Sequence, residues 1–566
     1  MDKISVYQIF LRVFGNKNTT NKFYGTLSEN GTGKFSDMNA KALKALKKFG
    51  VSHVWYTGVV EHATMTDFSA FGIAKDHPQV VKGIAGSPYA IRDYYDVNPY
   101  LADEVPQRMA EFEALVQRTH KAGLKAIIDF VPNHVARQYK SDVKPAGAVD
   151  FGEKDDNSRA FSPSNNFYYV PGKHFAVPDG VNPPVAFDQP YAEYPAKATG
   201  NDVFSEAPSI NDWFETIKLN YGVDYLNGRR KHFDPIPPTW KQMLDILEFW
   251  AMKGVDGFRC DMAEMVPVEF WHWVIPQVKS RHPEVIFIAE IYNPAEYRNY
   301  LDYGNFDYLY DKVGLYDALR RLIEGHGNAM DISGVWQKES GHFSQKMLRF
   351  LENHDEQRIA SDEFGKTPES AYAAMMLSAT LHTGPLMIYA GQEFGVRPDK
   401  AEGFQGDDGR TTIFDFWGLP ELQPWLGSYT TAPLEPKTAA VHDYYERLLH
   451  FMQKNEAVYA GEFHDMQYLN GFGLSPGYDE RVIYSYLRFS RKQCLLFVYN
   501  FDLQKERTFT VKLPRSVFKD GHIRMKFKPV FAEGEKMEVK AGEAISLDVT
   551  VPANGFRIWE IEVKKA

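Results

Sequence analysis

The amino-acid sequence predicts an α/β protein: a (β/α)8 TIM barrel with a lobe inserted after its third strand and an antiparallel β-sandwich at the C-terminal end. Three observations carry this expectation. Eight apolar, β-branched runs of strand length recur through the first four-fifths of the 566 residues. Helix-like stretches separate most of them. The pattern then changes twice, into a long Pro- and Gly-rich connection between residues 135 and 235, and into short alternating runs after about residue 455. Near-continuous apolar strands alternating with amphipathic helices are the pattern of a parallel sheet covered by helices, and eight of them favour closure into a barrel.

In chain order the runs are "ISVYQIFLRVF", "VSHVWYTG", "LKAIIDFV", "VDGFRCDM", "EVIFIAEIY", "FDYLYD", "KMLRFLEN" (strand seven over Met347 to Leu351) and "GPLMIYAG". Between the second and third, "PQRMAEFEALVQRTHKAG" places Met109, Phe112, Leu115 and Val116 at helical spacing, and Gly123 ends the turn. A connection of about a hundred residues, with stretches such as "SPSNNFYYVPGKHFAVPDGVNPP", is too long for a plain loop and reads as a lobe of its own. Helical periodicity resumes at "PPTWKQMLDILEFWAMKG". The expected domains are therefore a barrel over 1–134 and 236–455, a lobe over 135–235, and a sandwich over 456–566, where "RVIYSYLRFS", "CLLFVYNF" and "GFRIWEIEV" alternate in strand fashion.

Composition narrows the function. A hydrophobic fraction of 44% with 24% charged residues is that of a soluble globular protein. The net charge of −10 is spread along the chain with no basic block to neutralise phosphates, which argues against nucleic-acid binding and for an uncharged partner. Aromatic residues reach 14%, and flat rings suit the apolar faces of sugars as well as a core. Cys260 and Cys494 stand alone, so neither a disulfide framework nor a cysteine metal site is expected. No apolar run is long enough to span a bilayer. The start "MDKISVYQIFLRVFG" lacks the features of an export signal, leaving a cytoplasmic protein or a processed exported chain.

The polar ends of the strands carry the chemistry. Strand three ends with Asp129, Asn133 and His134, strand four with Arg259 and Asp261, strand five with Glu290, and strand seven with His354 and Asp355. In a barrel these ends share one rim. A lone carboxylate after a strand is more often a helix cap or a surface charge. Three carboxylates at one rim are costly unless positive and hydrogen-bonding partners accompany them, and Arg259, His134 and His354 are such partners. Carboxylates at short range suit glycoside hydrolysis, one donating a proton to the leaving oxygen and another attacking or steadying the oxocarbenium-like centre.

The set "DFVPNH", "GFRCDMAEM", "FIAEIY" and "FLENHDEQ", in that order and spacing, closely resembles the four diagnostic regions of the α-amylase family, glycoside hydrolase family 13. "GVSHVWYTG", "SPYAIRDYYDVNP" and "GPLMIYAGQEFG" resemble its supporting signals. The resemblance implies a retaining enzyme in which Asp261 is the nucleophile, Glu290 the general acid and then base, and Asp355 the binder of hydroxyls beside the reacting centre. Arg259 would hold Asp261 ionised, and the pocket of Glu290 would favour its neutral form. His134, His354 and the platform Tyr89 would bind the sugar, Tyr292 would shape the leaving-group side, and Arg358 and Asp93 are further candidates on the rim. Glu352 and Glu356 are expected in supporting or surface roles.

The chemistry implied requires no cofactor, but many family members hold a structural calcium where barrel and lobe meet. Here Asn133 is present, whereas Ser209 of "APSIN" stands at the place of a ligand Asp and Met265 at that of a His. This argues against that site and leaves the Asn-rich "GNKNTTNK" as an alternative oxygen-lined loop. The barrel begins at the N-terminus, unlike branching or neopullulanase-like members, and "QPDLN" of the oligo-1,6-glucosidases is missing. The expectation is a hydrolase of α-glucans or maltooligosaccharides at α-1,4 bonds. Its rivals are a transglycosylase or sugar isomerase of the same family and a non-catalytic sugar-binding barrel.

Overall fold

The computed structural model describes residues 3–518, 523–531, 534–541 and 545–565. Eight parallel strands form one sheet: β1 (Ser5–Phe10), β2 (His53–Thr57), β3 (Lys125–Phe130), β4 (Gly257–Cys260), β5 (Ile286–Ala289), β6 (Tyr308–Tyr310), β7 (Met347–Leu348) and β8 (Leu386–Tyr389). Their order is β7-β6-β5-β4-β3-β2-β1-β8. Arg349 closes the seam by bridging Leu386, with Met387 N–H donating to the Arg349 carbonyl at 2.8 Å. The fold class expected from the sequence is thus found.

Strand seven is shorter than expected, ending at Leu348 rather than Leu351. The ladder reaches one residue further as the isolated bridge at Arg349, whose buried guanidinium donates to Asp311 at 3.2 Å and Ser344 at 2.9 Å.

The helix Arg108–Lys121 buries Phe112, Leu115 and Val116 against the barrel and stops before Gly123, whose φ of 74° favours glycine. Pro238–Met252 and Val268–Arg281 cover the strands that follow. Between β3 and Pro238 the chain is mostly irregular, as its Pro, Gly and Asn content demands. Short antiparallel pairs, His134–Ala136 with Thr216–Lys218 and Tyr169–Val170 with Ala196–Lys197, give it a frame. Arg137 stands at its centre, paired with Glu193 at 2.8 Å and lying over the Phe175 ring at 3.7 Å.

The C-terminal part holds β9 (Glu462–Asp465), β10 (Ile483–Phe489), β11 (Cys494–Asn500), β12 (Arg507–Leu513), β13 (Ile523–Pro529), β14 (Met537–Ala541), β15 (Ile545–Val551) and β16 (Gly555–Lys565). Six of them form an antiparallel sheet, β9-β10-β11-β16-β13-β14, and β12 pairs with β15. Along β15 every second residue is buried, so Leu547 and Val549 meet Leu496, Val498 and Trp559 of the larger sheet. Arg488 ties this unit to the barrel. Its buried guanidinium donates to the carbonyls of Leu381, Ala457, Val458 and Gly461 at 2.7 to 3.1 Å.

Candidate active site

Parallel pairing puts the functional side chains together. Asp129 of β3 and Arg259 of β4 are register partners, and the ladder continues past the strands, with Asp261 N–H donating to the Phe130 carbonyl at 2.9 Å and Glu290 N–H to that of Cys260 at 3.1 Å. Arg259 is therefore flanked by carboxylates from three neighbouring strand ends. Its Nη1 lies 2.7 Å from Asp261 Oδ1 and 3.6 Å from Asp129 Oδ1, and its Nη2 lies 2.8 Å from Glu290 Oε2. The rings of Trp55, Tyr89 and Tyr310 enclose the guanidinium at 5.2 to 5.4 Å, and the Tyr310 hydroxyl accepts from Nε.

This crowding decides the electrostatics. Burial pushes Asp261 well above the usual carboxylate range; Arg259 pulls it down, but Glu290 and Asp355 add to the upward push. Arg259 thus acts on Asp261 in the direction that favours its ionised form. Interacting carboxylates of this kind titrate as a set, which holds its last protons more tightly than an isolated acid would. Asp129, absent from the catalytic trio expected from sequence, belongs to the set. Burial raises it to about 7 despite Arg259 and the Trp55 indole at 3.1 Å.

A stability consequence follows with a definite sign. Folding raises the Asp129 value from 3.8 to about 7, so the folded chain binds this proton more tightly, and stability falls as pH rises from about 4 through 7. At 1.36 kcal/mol per unit the ceiling is about 4 kcal/mol. Asp129→Asn should match the wild type at pH 4 and denature at higher urea than it at pH 8. Parallel urea curves at both values would show the role to be wrongly assigned.

Glu290 accepts from the Met262 N–H at 2.7 Å and the Tyr292 hydroxyl at 2.5 Å, and its Oε2 forms an ion pair with Arg259 Nη2. His354 is buried and held neutral, its value pushed well below the usual range by burial and Arg259. Gln8 Nε2 donates to its Nδ1 at 2.8 Å, which leaves the proton on Nε2, facing the Tyr89 hydroxyl and Asp355 Oδ2 at 3.1 Å. Tyr89 stacks on the His354 ring with centroids 5.1 Å apart. His134, lowered to about 3 by burial and then by Lys218, packs beside Trp213.

A cavity of about 370 Å³ opens over this rim. Tyr89, His134, Asp261, Glu290, Tyr292 and Asp355 line it, and Asp355 is about a third exposed to it. Its far wall is Lys82, Trp213, Glu215 and Phe414, none of which sequence reasoning singled out. Arg259 and His354 lie just beneath.

The sequence pattern described as "Alpha amylase, catalytic domain" matches residues 8–416. The chain belongs to the α-amylase family of glycoside hydrolases. It is 25% identical over 398 residues to Alpha-amylase 3 of Dictyoglomus thermophilum, spanning 66% of this chain and 68% of that protein. It is 26% identical over 397 residues to Alpha-amylase MalA of Haloarcula japonica, spanning 69% of this chain and 44% of that one. The crystal structure of a maltogenic alpha-amylase, AmyB, from Thermotoga neapolitana superposes over 98% of both chains with a TM-score of 0.59 at 21% identity, which shows a shared fold.

Within that family frame, three expectations change. Arg358 does not reach the cavity: its buried guanidinium binds Glu352 at 2.9 Å, the Ala390 carbonyl at 3.0 Å and Thr411 at 2.9 Å, bracing the loop after β7 against β8. Asp93 also lies off the cavity, on Ile91–Val97. Glu356 pairs with Lys312 at 3.3 Å, away from the centre.

The third change concerns calcium. Asn133 Oδ1 accepts from Lys218 Nζ at 2.6 Å, and the same ammonium pairs with Asp202 at 2.6 Å and approaches the Met265 carbonyl at 3.4 Å. A side-chain cation therefore occupies the junction where a calcium was considered, and the residues present do not fit the metal. The carboxylate there comes from Asp202, not from the position of Ser209, which caps Asp212 at the surface. In "GNKNTTNK" the amides are committed to the main chain. Asn16 donates to the carbonyls of Asn30 and Trp417, and Asn21 to that of Gly418, each at 2.8 to 2.9 Å. That loop is a hydrogen-bonded clasp rather than a ring of oxygens. Among the described residues no helix is long and apolar enough to cross a membrane.

Proposed function

We propose that the chain is a retaining α-glycoside hydrolase acting on α-1,4 bonds of maltooligosaccharides and starch-type glucans. The observation that carries this reading is the pair Asp261 and Glu290, held on the two terminal nitrogens of one guanidinium beneath a sugar-sized cavity with an aromatic wall. Two carboxyls gripped by one planar fork are kept at short range, as double displacement requires. Asp261 attacks the anomeric carbon to form the glycosyl-enzyme. Glu290 delivers a proton from the carboxylate set to the leaving oxygen, then takes one from the incoming water. Tyr292, hydrogen-bonded to Glu290, fixes the orientation of that carboxyl on the leaving-group side.

Sugar recognition follows from the remaining wall. Tyr89 offers its ring to the apolar face of the reacting sugar, the His134 ring offers a hydrogen bond, and the partly exposed Asp355, itself steadied by His354 Nε2 from below, accepts from hydroxyls beside the bond that breaks. The names of the matched amylases support the substrate class.

Proton NMR of maltoheptaose digestion provides the test. Shorter oligosaccharides should appear first as the α-anomer. A β-anomer would mean inversion, longer or rearranged products as the main outcome would mean transfer to sugar acceptors, and cleavage of isomaltose in place of maltose would move the linkage to α-1,6.

A further inference from the structure

Away from the cavity, Glu61, Asp93 and Asp96 each bring one carboxylate oxygen to within 4.8 Å of the other two, and all three side chains are buried. Glu61 lies on the short strand Val60–His62, which pairs antiparallel with Ile91–Val97, the strand that bears both aspartates. The register slips on both sides of Glu61. Irregularities of this kind re-aim a side chain, here towards the aspartates.

The three carboxylates differ in what satisfies them. Asp96 accepts from Arg108 Nε at 2.9 and 3.0 Å. Asp93 accepts from the N–H groups of Tyr95 and Asp142, both at 2.8 Å, which are neutral donors. Glu61 is 2% exposed, and its Oε2 has no hydrogen-bond partner among the described residues. The neighbouring Arg92 is committed to Asp76 at 3.1 Å. Three carboxylates against the one guanidinium of Arg108 leave two negative charges without a counter-charge in a buried place, and that is unfavourable unless a cation joins them.

The donor set identifies the cation class. Only carboxylate oxygens converge, and the nearest imidazole, His62, is already bound through Nδ1 to Asn98 at 2.6 Å and through Nε2 to the Tyr100 hydroxyl at 2.8 Å. Oxygen-only sites suit hard divalent ions, and irregular ones suit calcium better than the strictly octahedral magnesium. We propose that Glu61, Asp93 and Asp96 bind one calcium ion, which fastens the strand pair that carries Tyr89 into the active site. This place is distinct from the junction held by Lys218.

Full-length protein stripped with EDTA and dialysed is titrated calorimetrically with calcium chloride alone, then with magnesium chloride, and its melting temperature is followed in parallel. One calcium per chain and a rise of several degrees in Tm are expected. Glu61→Gln should weaken binding by about 100-fold or more and abolish the Tm response, and Asp93→Asn should do the same if the first variant folds poorly. Wild-type protein that takes up no calcium would overturn the proposal, as would full affinity in Glu61→Gln or a response to magnesium alone. A stripped Glu61→Gln more stable than a calcium-insensitive wild type would instead assign the cluster to carboxyls sharing a proton.

Discussion

Replacing Asp261 by Asn lowers kcat on maltoheptaose by roughly 10⁴-fold or more while leaving oligosaccharide binding within a few-fold of the wild type. The amide keeps the shape of the side chain and an acceptor for Arg259 Nη1, which lies 2.7 Å away, so the cavity wall is preserved. What it loses is the anionic oxygen that attacks the anomeric carbon. The same change removes one carboxyl from a buried set of three around one guanidinium, so the variant should melt at or above the wild-type temperature. Lost turnover with retained or raised Tm separates a chemical role from a structural one. Activity within tenfold of the wild type would remove Asp261 from the mechanism.

Removing the Lys218 ammonium should have the largest effect on stability. Lys218→Ala takes away a buried positive charge from Asn133, Asp202 and the Met265 carbonyl and leaves a hole among three oxygens. Breaking a buried pair costs 3–5 kcal/mol, and with Asp202 about a third exposed we expect roughly 2–4 kcal/mol, read as a lower urea midpoint. These contacts join three segments: the end of β3 beside His134, the irregular connection, and the turn that follows Asp261. Activity should therefore fall faster with temperature than in the wild type. An unchanged midpoint would show that the ammonium is not what joins them.

Much of the barrel could be read from the sequence because its signals are local. Each strand is a short apolar run bounded by turn residues, and parallel pairing then forces the polar tails onto one rim. Asp261, Glu290 and Asp355 meet around the cavity for that reason, and Tyr89 and His134 join them from antiparallel segments beside the barrel sheet. What stayed hidden depends on contacts between residues far apart in the chain. Lys218 lies 85 positions from Asn133, at the end of a three-residue strand within the long inserted connection, and nothing in its neighbours marks it as a buried cation. Trp213 and Phe414 reach the cavity from irregular segments for which sequence offers no periodicity. Arg358 misled in the opposite sense: three residues after Asp355 it looks like part of the rim, but the turn after β7 rotates it inward to Glu352. Asp93, expected on the rim, lies off the cavity because its strand pairs with Val60–His62.

Arg488 has an evolutionary implication. All four of its acceptors are main-chain carbonyls, at Leu381, Ala457, Val458 and Gly461. A carbonyl is present whatever side chain accompanies it, so substitutions at Leu381 on the barrel side, or at Ala457, Val458 and Gly461 on the C-terminal side, leave the acceptors in place, whereas loss of Arg488 removes all four bonds together. The attachment is permissive on one partner and strict on the other. A chimera that grafts this C-terminal unit onto a relative's barrel would need the same backbone path at that corner rather than the same sequence, and a unit lacking the arginine would keep only the joint's other contacts, such as Tyr486 with Thr380 and Tyr484 with Trp336.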